Sequence, residues 1–197
     1  RPALEEALSH LSCDNAQKEY YLTDAIAYLA GQGAVIQPLV GEFLETLGVN
    51  DQKNLAFAAR MLYQRQAEAL MAEGVCFLDP AATYVDVTVQ VGRGTVIEPQ
   101  CYLRGNTVIG EDCLIGMGSD ITDSIIGDRV AIKHSVIWEA SIAPECTIGP
   151  FAYLRPGSVL EEQVKVGDFS EIKKSHIGKG SKVPHLSYIG DATIGER

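Results

Sequence analysis

The feature that most constrains the fold of this chain is a regular spacing of aliphatic residues in its second half. Every sixth residue is aliphatic from Val85 to Ile121, and again from Ile142 to Ile172. Five-residue steps join these two runs and extend the pattern to Ile194. A helix repeats about every 3.6 residues and a strand about every two, so neither element alone explains the spacing. An internal repeat of this kind is the strongest cue to architecture that a sequence can carry.

A coil with three sides explains the repeat. If each hexad forms one short strand and turns a corner, three hexads close a coil of about 18 residues, and every sixth side chain points to the axis. Small residues often stand two places before the aliphatic ones, where they fit crowded corners, and glycine often follows, where we expect backbone angles that other residues resist. Residues 85–197 then supply about six coils. The sequence predicts a parallel β-helix whose ends need covers.

The first 80 residues have helical spacing instead. We predict three helices: one around Leu4 to Leu11, one beginning after Thr23 as a possible N-cap, and one from about Asp51 to Glu73 that stops at Gly74. The third is a candidate cover for the first coil. A short apolar stretch at residues 34–40 is the one strand candidate, and its proline would place it at an edge or end it.

Composition excludes several classes of function. The formal net charge is -10, which works against non-specific binding to nucleic acid or to an anionic membrane. No apolar run approaches the roughly 20 residues needed to cross a bilayer, and the first residues lack the layout of a secretory signal, so we expect a cytoplasmic protein. The five cysteines form no CxxC pair, which favours reduced, mostly buried thiols over a disulfide framework or a zinc site.

Two cations interrupt the repeat at related positions. Arg155 follows the aliphatic Leu154, and Lys173 follows Ile172 one coil of 18 residues later. The predicted stack places the two residues one inter-strand spacing apart, roughly 5 Å. Cations this close repel unless an anion lies between them, and a phosphate suits an arginine fork beside a lysine. The alternative is a pair of solvated surface cations with Glu171 or Asp168 as neighbours.

His185 stands just past another aliphatic corner. Its imidazole could act as a general base near neutral pH, and Tyr188 could offer a phenol to the same substrate. A lone histidine is a weak signal, and the other three histidines are weaker candidates.

The motifs around these residues resemble a known family. The stretches that carry the resemblance are 146–157, 171–174, 178–182 and 185–192 in the repeat region, with 15–24 and 48–51 in the helical region. They are similar to the bacterial bifunctional N-acetylglucosamine-1-phosphate uridyltransferase/glucosamine-1-phosphate N-acetyltransferases, over nearly the whole chain and in order. The resemblance implies a mainly β protein: a left-handed parallel β-helix preceded by the C-terminal part of an α/β nucleotidyltransferase domain. It also implies boundaries of 1–50 for that part, 51–80 for a linker helix and 81–197 for a truncated acetyltransferase domain.

The resemblance assigns roles to individual residues. His185 matches the base of the acetyltransferase, Arg155 and Lys173 match residues that hold the sugar phosphate, and Tyr188 matches a further substrate contact. In the uridyltransferase, Asn50 matches a ligand of Mg²⁺, and a motif near the sugar pocket contains Glu19, Tyr21 and Thr23. The implied substrates are acetyl-CoA, glucosamine 1-phosphate, UTP and N-acetylglucosamine 1-phosphate. The family acts as a homotrimer with acetyltransferase sites shared between neighbouring β-helices.

The chain departs from the family at both ends. It lacks the glycine-rich nucleotide loop, and it stops before the asparagine-bearing coil that the family uses for substrate and acetyl-CoA. We therefore expect a fragment that performs neither reaction efficiently by itself. Two rival classes stay open: a non-catalytic trimerisation or regulatory β-helix of a sugar-nucleotide pyrophosphorylase, and a zinc enzyme of the carbonic anhydrase type, which needs three histidines.

Overall fold

The computed structural model describes residues 2–197 and divides into two compact units, one ending at Gly48 and one spanning Val49–Arg197. The first unit contains helices α1 (Pro2–Ser9) and α2 (Asp24–Gly31) and a 3₁₀ turn at Phe43–Thr46. Ala7 and Ala25 are the buried residues of the two α-helices. The ring of His10 stacks on that of Tyr28 with centroids 4.5 Å apart. Small buried residues and one aromatic contact therefore join this helix pair.

The strand predicted at residues 34–40 is absent, so that prediction is wrong. Leu39 is 98% exposed and Val40 is 91% exposed. A strand needs a neighbour that pairs its backbone groups, and the first unit contains no strand within residues 2–48. Apolar β-branched residues favour extended backbone, but they do not make a strand without that partner.

The second unit opens with the long helix α3 (Gln52–Ala72). The carboxylate of Asp51 caps it by accepting a hydrogen bond from the Asn54 amide at 2.7 Å. The helix closes at Gly74, whose φ of +100° lies in the left-handed region that glycine tolerates. Ala67 and Leu70 are buried in the hydrophobic core of the β-helix, beside the residues of the first coil. The prediction that this helix covers the coil is confirmed. Within residues 2–197, no helix combines the length and apolarity needed to span a membrane.

Three parallel sheets of seven strands form the β-helix. Sheet A contains β1 (Cys76–Phe77), β4 (Val96–Ile97), β7 (Leu114–Ile115), β10 (Ala131–Ile132), β13 (Thr147–Ile148), β16 (Lys165–Val166) and β19 (Lys182–Val183). Sheet B contains β2 (Tyr84–Val85), β5 (Tyr102–Arg104), β8 (Asp120–Thr122), β11 (Val136–Trp138), β14 (Tyr153–Leu154), β17 (Glu171–Lys173) and β20 (Tyr188–Gly190). Sheet C contains β3 (Gln90–Val91), β6 (Val108–Ile109), β9 (Ile125–Ile126), β12 (Ser141–Ile142), β15 (Val159–Leu160), β18 (His176–Ile177) and β21 (Thr193–Ile194). A 3₁₀ turn at Pro80–Ala82 joins β1 to β2.

The aliphatic residues of the repeat stack directly on one another along the axis. In sheet B, for example, Leu154 pairs with Ile172, which pairs with Ile189. Ile97, Leu103, Ile109, Ile115 and the residues that continue their series as far as Val183 are buried, whereas Ile194 in the last coil is 38% exposed. The structure has seven coils, whereas about six were expected. The repeat from Val85 to Ile194 supplies strands β2 to β21, and β1, which lies before the 3₁₀ turn and outside the six-residue spacing, completes the first coil.

Glycines after the aliphatic residues serve close contact between coils more than unusual backbone angles. Gly92 and Gly178 have no positive φ. A Cβ built on Gly92 would lie 2.6 Å from the carbonyl carbon of Gly110 in the next coil, and one on Gly178 would lie 2.6 Å from that of Gly195. Such distances are too short for a side chain against backbone. Here the expectation drawn from backbone angles is wrong. Many left-handed corners are instead taken by other residue types, such as Phe151 and Phe169.

One buried corner hydroxyl has no partner. The Oγ of Ser170 makes no hydrogen bond in the described part of the chain. Ser135 occupies the same row, and its Oγ donates to the Lys133 carbonyl at 2.6 Å and accepts from the Ala152 amide at 3.1 Å. A buried hydroxyl without a partner destabilises the fold. Removal of a hydrogen-bonded hydroxyl instead leaves its partner groups without a hydrogen bond.

We therefore expect opposite effects from alanine at these two positions. Ser170→Ala should leave the free energy of unfolding unchanged or raise it by up to about 1 kcal/mol, because an unsatisfied polar atom is removed. Ser135→Ala should lower it by about 1–3 kcal/mol, because the Ala152 amide loses its acceptor. Urea unfolding followed by circular dichroism measures both. Equal losses in the two variants would contradict the assignment.

Candidate functional site

The outer face of sheet B brings the two candidate cations together. Leu154 pairs with Ile172, and the Arg155 amide donates to the Ile172 carbonyl at 2.8 Å. Arg155 and Lys173 therefore occupy equivalent places in adjacent coils, and Gly190 occupies that place in the next coil. Because side chains alternate between the two faces of a strand, residues flanking a buried aliphatic one point outward. Both cationic side chains therefore point outward from sheet B, at the C-terminal edge of its strands.

Carboxylates already accompany both cations. The Arg155 guanidinium lies 2.8 Å from Oε1 of Glu171, and the Lys173 ammonium lies 3.6 Å from Oδ2 of Asp191. The hydrogen bond that the Arg155 guanidinium donates to Glu171 is the main cause of the raised pKa of Arg155. These two carboxylates offset the repulsion between the cations, so the pair does not by itself require a bound phosphate, and the alternative of surface cations beside Glu171 fits the ion pairs. Partly exposed ion pairs of this kind are weak and exchange readily.

Tyr188 stands on the same face, at the start of β20, and pairs with Glu171. Its side chain is 62% exposed, and its ring lies over the backbone of Gly190. Two coils earlier in the same row, the ring of Tyr153 contacts the edge of Trp138 at 5.5 Å and lies under the Arg155 guanidinium at 5.9 Å. Aromatic rings thus line the row beside the cations.

His185 lies in the corner between β19 and β20 and is exposed. Its carbonyl accepts a hydrogen bond from Ser187 Oγ at 2.9 Å, while its ring has no hydrogen-bond partner among residues 2–197. The corner that holds His185 and the place of Lys173 lie at opposite ends of a three-residue strand, which is about 10 Å long. The long Arg155 and Lys173 side chains can span part of that distance. His185 therefore lies at a corner of sheet B, and no contact joins its imidazole to Arg155 or Lys173.

This face is open rather than enclosed. A groove of about 650 Å³ lies elsewhere, between α3 and the first coil, and its lining includes Phe57, Tyr63 and Tyr84. None of Arg155, Lys173, His185 and Tyr188 lines that groove. The candidate residues thus form an exposed surface site, and the groove takes no part in it.

The remaining histidines lie in other settings. His134 contacts the ring of Phe151 at 4.8 Å, three coils away from His185 along the same corner. Nε2 of His176 lies 3.1 Å from Oε1 of Glu161 on sheet C. His134, His176 and His185 therefore do not converge on one site, as a zinc enzyme with three histidine ligands would require. In residues 2–197, no three His, Cys, Asp or Glu side chains group as metal ligands would.

The candidates for the uridyltransferase half lie outside the β-helix. Glu19, Tyr21 and Thr23 belong to the segment before α2, where the Asn15 side chain donates to the Glu19 carbonyl at 2.6 Å. Thr23 takes the N-cap position of α2, but its side chain makes no capping hydrogen bond.

Asn50 lies in the second unit, directly before Asp51, and is exposed. Magnesium prefers six oxygen ligands, whereas the neighbouring Asp51 carboxylate caps α3. The residues present therefore do not compose a magnesium site by themselves.

The buried cysteines are poor nucleophiles. Burial raises the pKa of Cys101 and of Cys146 to about 11, which keeps both thiols protonated near neutral pH. No covalent intermediate on these thiols is expected.

Sequence reasoning missed two residues of the face. Glu171 entered only as a possible neighbour, and Asp191 was not considered. The coil after Lys173 has 17 residues, so Gly190 and not Asp191 takes the equivalent place, and the period gives no signal for Asp191. The empty place at Gly190 carries no signal in the sequence, because glycine is frequent in the repeat.

Fold and face together define a hexapeptide-repeat β-helix protein with a surface of paired cations and carboxylates. A family model described as the GMPPB C-terminal domain matches residues 83–177. The bifunctional protein GlmU of Carboxydothermus hydrogenoformans is 52% identical over 194 residues, which cover 98% of this chain and 44% of that protein. The bifunctional protein GlmU of Heliobacterium modesticaldum is 49% identical over 197 residues, covering 100% of this chain and 43% of that protein.

The chain belongs to the bifunctional GlmU family and spans less than half the length of these relatives. Among solved structures, the UDP-N-acetylglucosamine acyltransferase from Campylobacter jejuni is 18% identical, with a TM-score of 0.37 over 61% of this chain and 63% of that one.

Proposed function

We propose that this chain is part of a bifunctional enzyme that acetylates glucosamine 1-phosphate with acetyl-CoA and then transfers a uridylyl group from UTP to the N-acetylglucosamine 1-phosphate formed. The observation that carries the acetyl-transfer half is the outer face of sheet B. It presents Arg155, Lys173 and Tyr188, and His185 stands at its corner. The relatives named bifunctional support the pairing of two activities.

His185 supplies the proton transfer in this proposal. Glucosamine 1-phosphate is largely an ammonium ion at neutral pH, and only its free amine is a nucleophile. The exposed imidazole, which has no hydrogen-bond partner among the described residues, takes the proton as the amine nitrogen attacks the thioester carbonyl carbon. The carbon–sulfur bond then breaks, and the coenzyme A sulfur leaves and is protonated.

The phosphate is held by exchange of ionic partners. Arg155 and Lys173 give up Glu171 and Asp191 and bind the phosphate oxygens. The exchange is favourable because a phosphate dianion offers an arginine two parallel hydrogen bonds and a lysine a stronger charge. Fixing the phosphate orients the neighbouring amine toward the thioester, which lowers the entropic part of the barrier.

The uridylyl half takes its residues from the helical region. Glu19, Tyr21 and Thr23 would lie near the sugar pocket, and Asn50 would contribute one ligand to Mg²⁺, which needs further ligands that the described residues do not supply. Residues 1–50 then belong to the nucleotidyltransferase domain, 51–80 form the linker helix and 81–197 belong to the acetyltransferase domain. When bound, the metal neutralises phosphate charge in UTP.

A cytoplasmic homotrimer completes the proposal. The candidate face is open and its residues are largely exposed. A neighbouring copy would supply the wall that shields the reaction from water. The net charge of -10 argues against nucleic acid or an anionic membrane as a partner.

An assay of coenzyme A release tests this function. The full-length protein that carries this chain should acetylate glucosamine 1-phosphate far faster than glucosamine, which lacks the phosphate that Arg155 and Lys173 bind. A non-catalytic β-helix, the rival class, should release no coenzyme A above the spontaneous rate with either sugar. Equal rates with the two sugars would contradict the proposed phosphate contacts.

A further inference from the structure

The row that contains Arg155 and Lys173 loses its side chain in the next coil. Lys173 pairs with Gly190, so the outward position above the two cations holds only a hydrogen atom. The ring of Tyr188 occupies this vacancy. A Cβ built on Gly190 would lie 2.7 Å from Cζ and 2.9 Å from Cε1 of Tyr188, and closer still to its hydroxyl oxygen.

The vacancy changes the direction in which Tyr188 points. Tyr188 belongs to the row of Tyr153 and Glu171. Its ring nevertheless leans sideways over Gly190 and brings the phenol into the row of the cations. A side chain at position 190 would exclude this placement.

Backbone geometry does not require glycine at this position. Gly190 has no positive φ, and the three atoms nearest to a Cβ built there belong to the movable Tyr188 side chain. The same place in the two preceding coils holds Lys173 and Arg155, so this row accepts side chains. By contrast, a Cβ on Gly178 would strike backbone atoms of the coil above. Alanine at position 190 can therefore be accommodated by rotation of Tyr188, without displacement of the coil.

We propose that Gly190 is a positioning residue: its missing side chain lets the Tyr188 phenol lie beside Arg155 and Lys173, where it hydrogen-bonds the phosphate of the sugar substrate. This inference rests on the proposed acetyl-transfer function. Gly190 touches no substrate and acts only through Tyr188. Its effect on binding should disappear when the ring of Tyr188 is removed.

Nuclear magnetic resonance of the 197-residue chain tests the placement independently of substrate. A ring lying over Gly190 shifts the Gly190 Hα resonances by its ring current. Tyr188→Ala should abolish that shift, while the resonances of Gly195 stay in place. Gly190 Hα resonances that are the same with and without the Tyr188 ring would overturn the inference, whatever the protein binds.

A double-mutant cycle in the full-length protein tests the role. Gly190→Ala should weaken glucosamine 1-phosphate binding, measured by calorimetry, by about tenfold. Tyr188→Ala should have the same effect, because each substitution removes one hydrogen bond to a charged group. The double variant should bind like Tyr188→Ala alone, since the two changes act through one contact. Lys165→Ala, which removes an exposed side chain of sheet A, should bind like the wild type.

The outcomes separate the inference from the function beneath it. Additive losses in the double variant, or wild-type affinity in Gly190→Ala beside a loss in Tyr188→Ala, would overturn the positioning role alone. A wild-type protein with the ring-current shift but no affinity for glucosamine 1-phosphate would overturn the proposed function, and the positioning role with it.

Discussion

Replacement of His185 by alanine in the full-length protein is expected to lower the rate of acetyl transfer about 100- to 10,000-fold. The amine of the substrate must lose a proton as it attacks the thioester, and without the imidazole only the small fraction already deprotonated can react. The residual rate should therefore rise with pH more steeply than the wild-type rate. Release of coenzyme A, followed with a thiol reagent at several pH values, measures both effects.

Two controls accompany this substitution. Uridylyl transfer should be unchanged in His185→Ala, since the residues proposed for it lie outside the β-helix. His176→Ala removes a histidine of sheet C that is paired with Glu161 and should leave acetyl transfer intact. Loss of both activities in His185→Ala, or equal losses of acetyl transfer in the two variants, would contradict the division of roles.

The second large effect concerns the axis of the β-helix. In β9, Ile126 points to the axis and is 2% exposed, while its neighbour Ile125 points outward and is 62% exposed. Ile126→Ala should lower the free energy of unfolding by about 2–5 kcal/mol, because it removes buried methyl groups and leaves a cavity between stacked coils. Ile125→Ala should change it by less than about 0.5 kcal/mol.

Urea unfolding of the two single variants of the chain measures this difference. The pair is matched in residue type, strand and chemical change, so only the direction of the side chain differs. Equal destabilisation would mean that the alternation of inward and outward residues in β9 is wrong.

The repeat predicts the β-helix well because steric requirements fix it at every coil. An axial position accepts an aliphatic side chain, and the buried position two residues before it holds small or medium-sized side chains, as Cys101, Ser119 and Val130 illustrate. The long helix is equally predictable, since Asp51 and Gly74 carry its start and stop signals locally. Such features depend on neighbours in sequence or on a fixed period.

The predictions that failed concern features that depend on residues distant in sequence. Extended residues at 34–40 became no strand because a strand depends on a distant partner. In the sequence, the glycine of a hexad resembles a turn residue. At Gly92, however, glycine is required because the backbone of the next coil leaves no space for a side chain.

The site follows the same division. The 18-residue period brought Arg155 over Lys173, but it did not show that Glu171 and Asp191 were already paired with them. Side-chain direction decides such pairings, and the period of the backbone does not report it. The lean of Tyr188 over Gly190 is a further case, because it depends on a side chain that is missing.

The central claim is that Arg155 and Lys173 together hold the phosphate of a sugar substrate. Calorimetric titration of the full-length protein with glucosamine 1-phosphate tests it most directly. Arg155→Ala and Lys173→Ala should each raise the dissociation constant by about 10- to 100-fold, while Lys165→Ala, which removes an exposed lysine of sheet A, should not. Affinities in the first two variants equal to that of the wild type would contradict the claim.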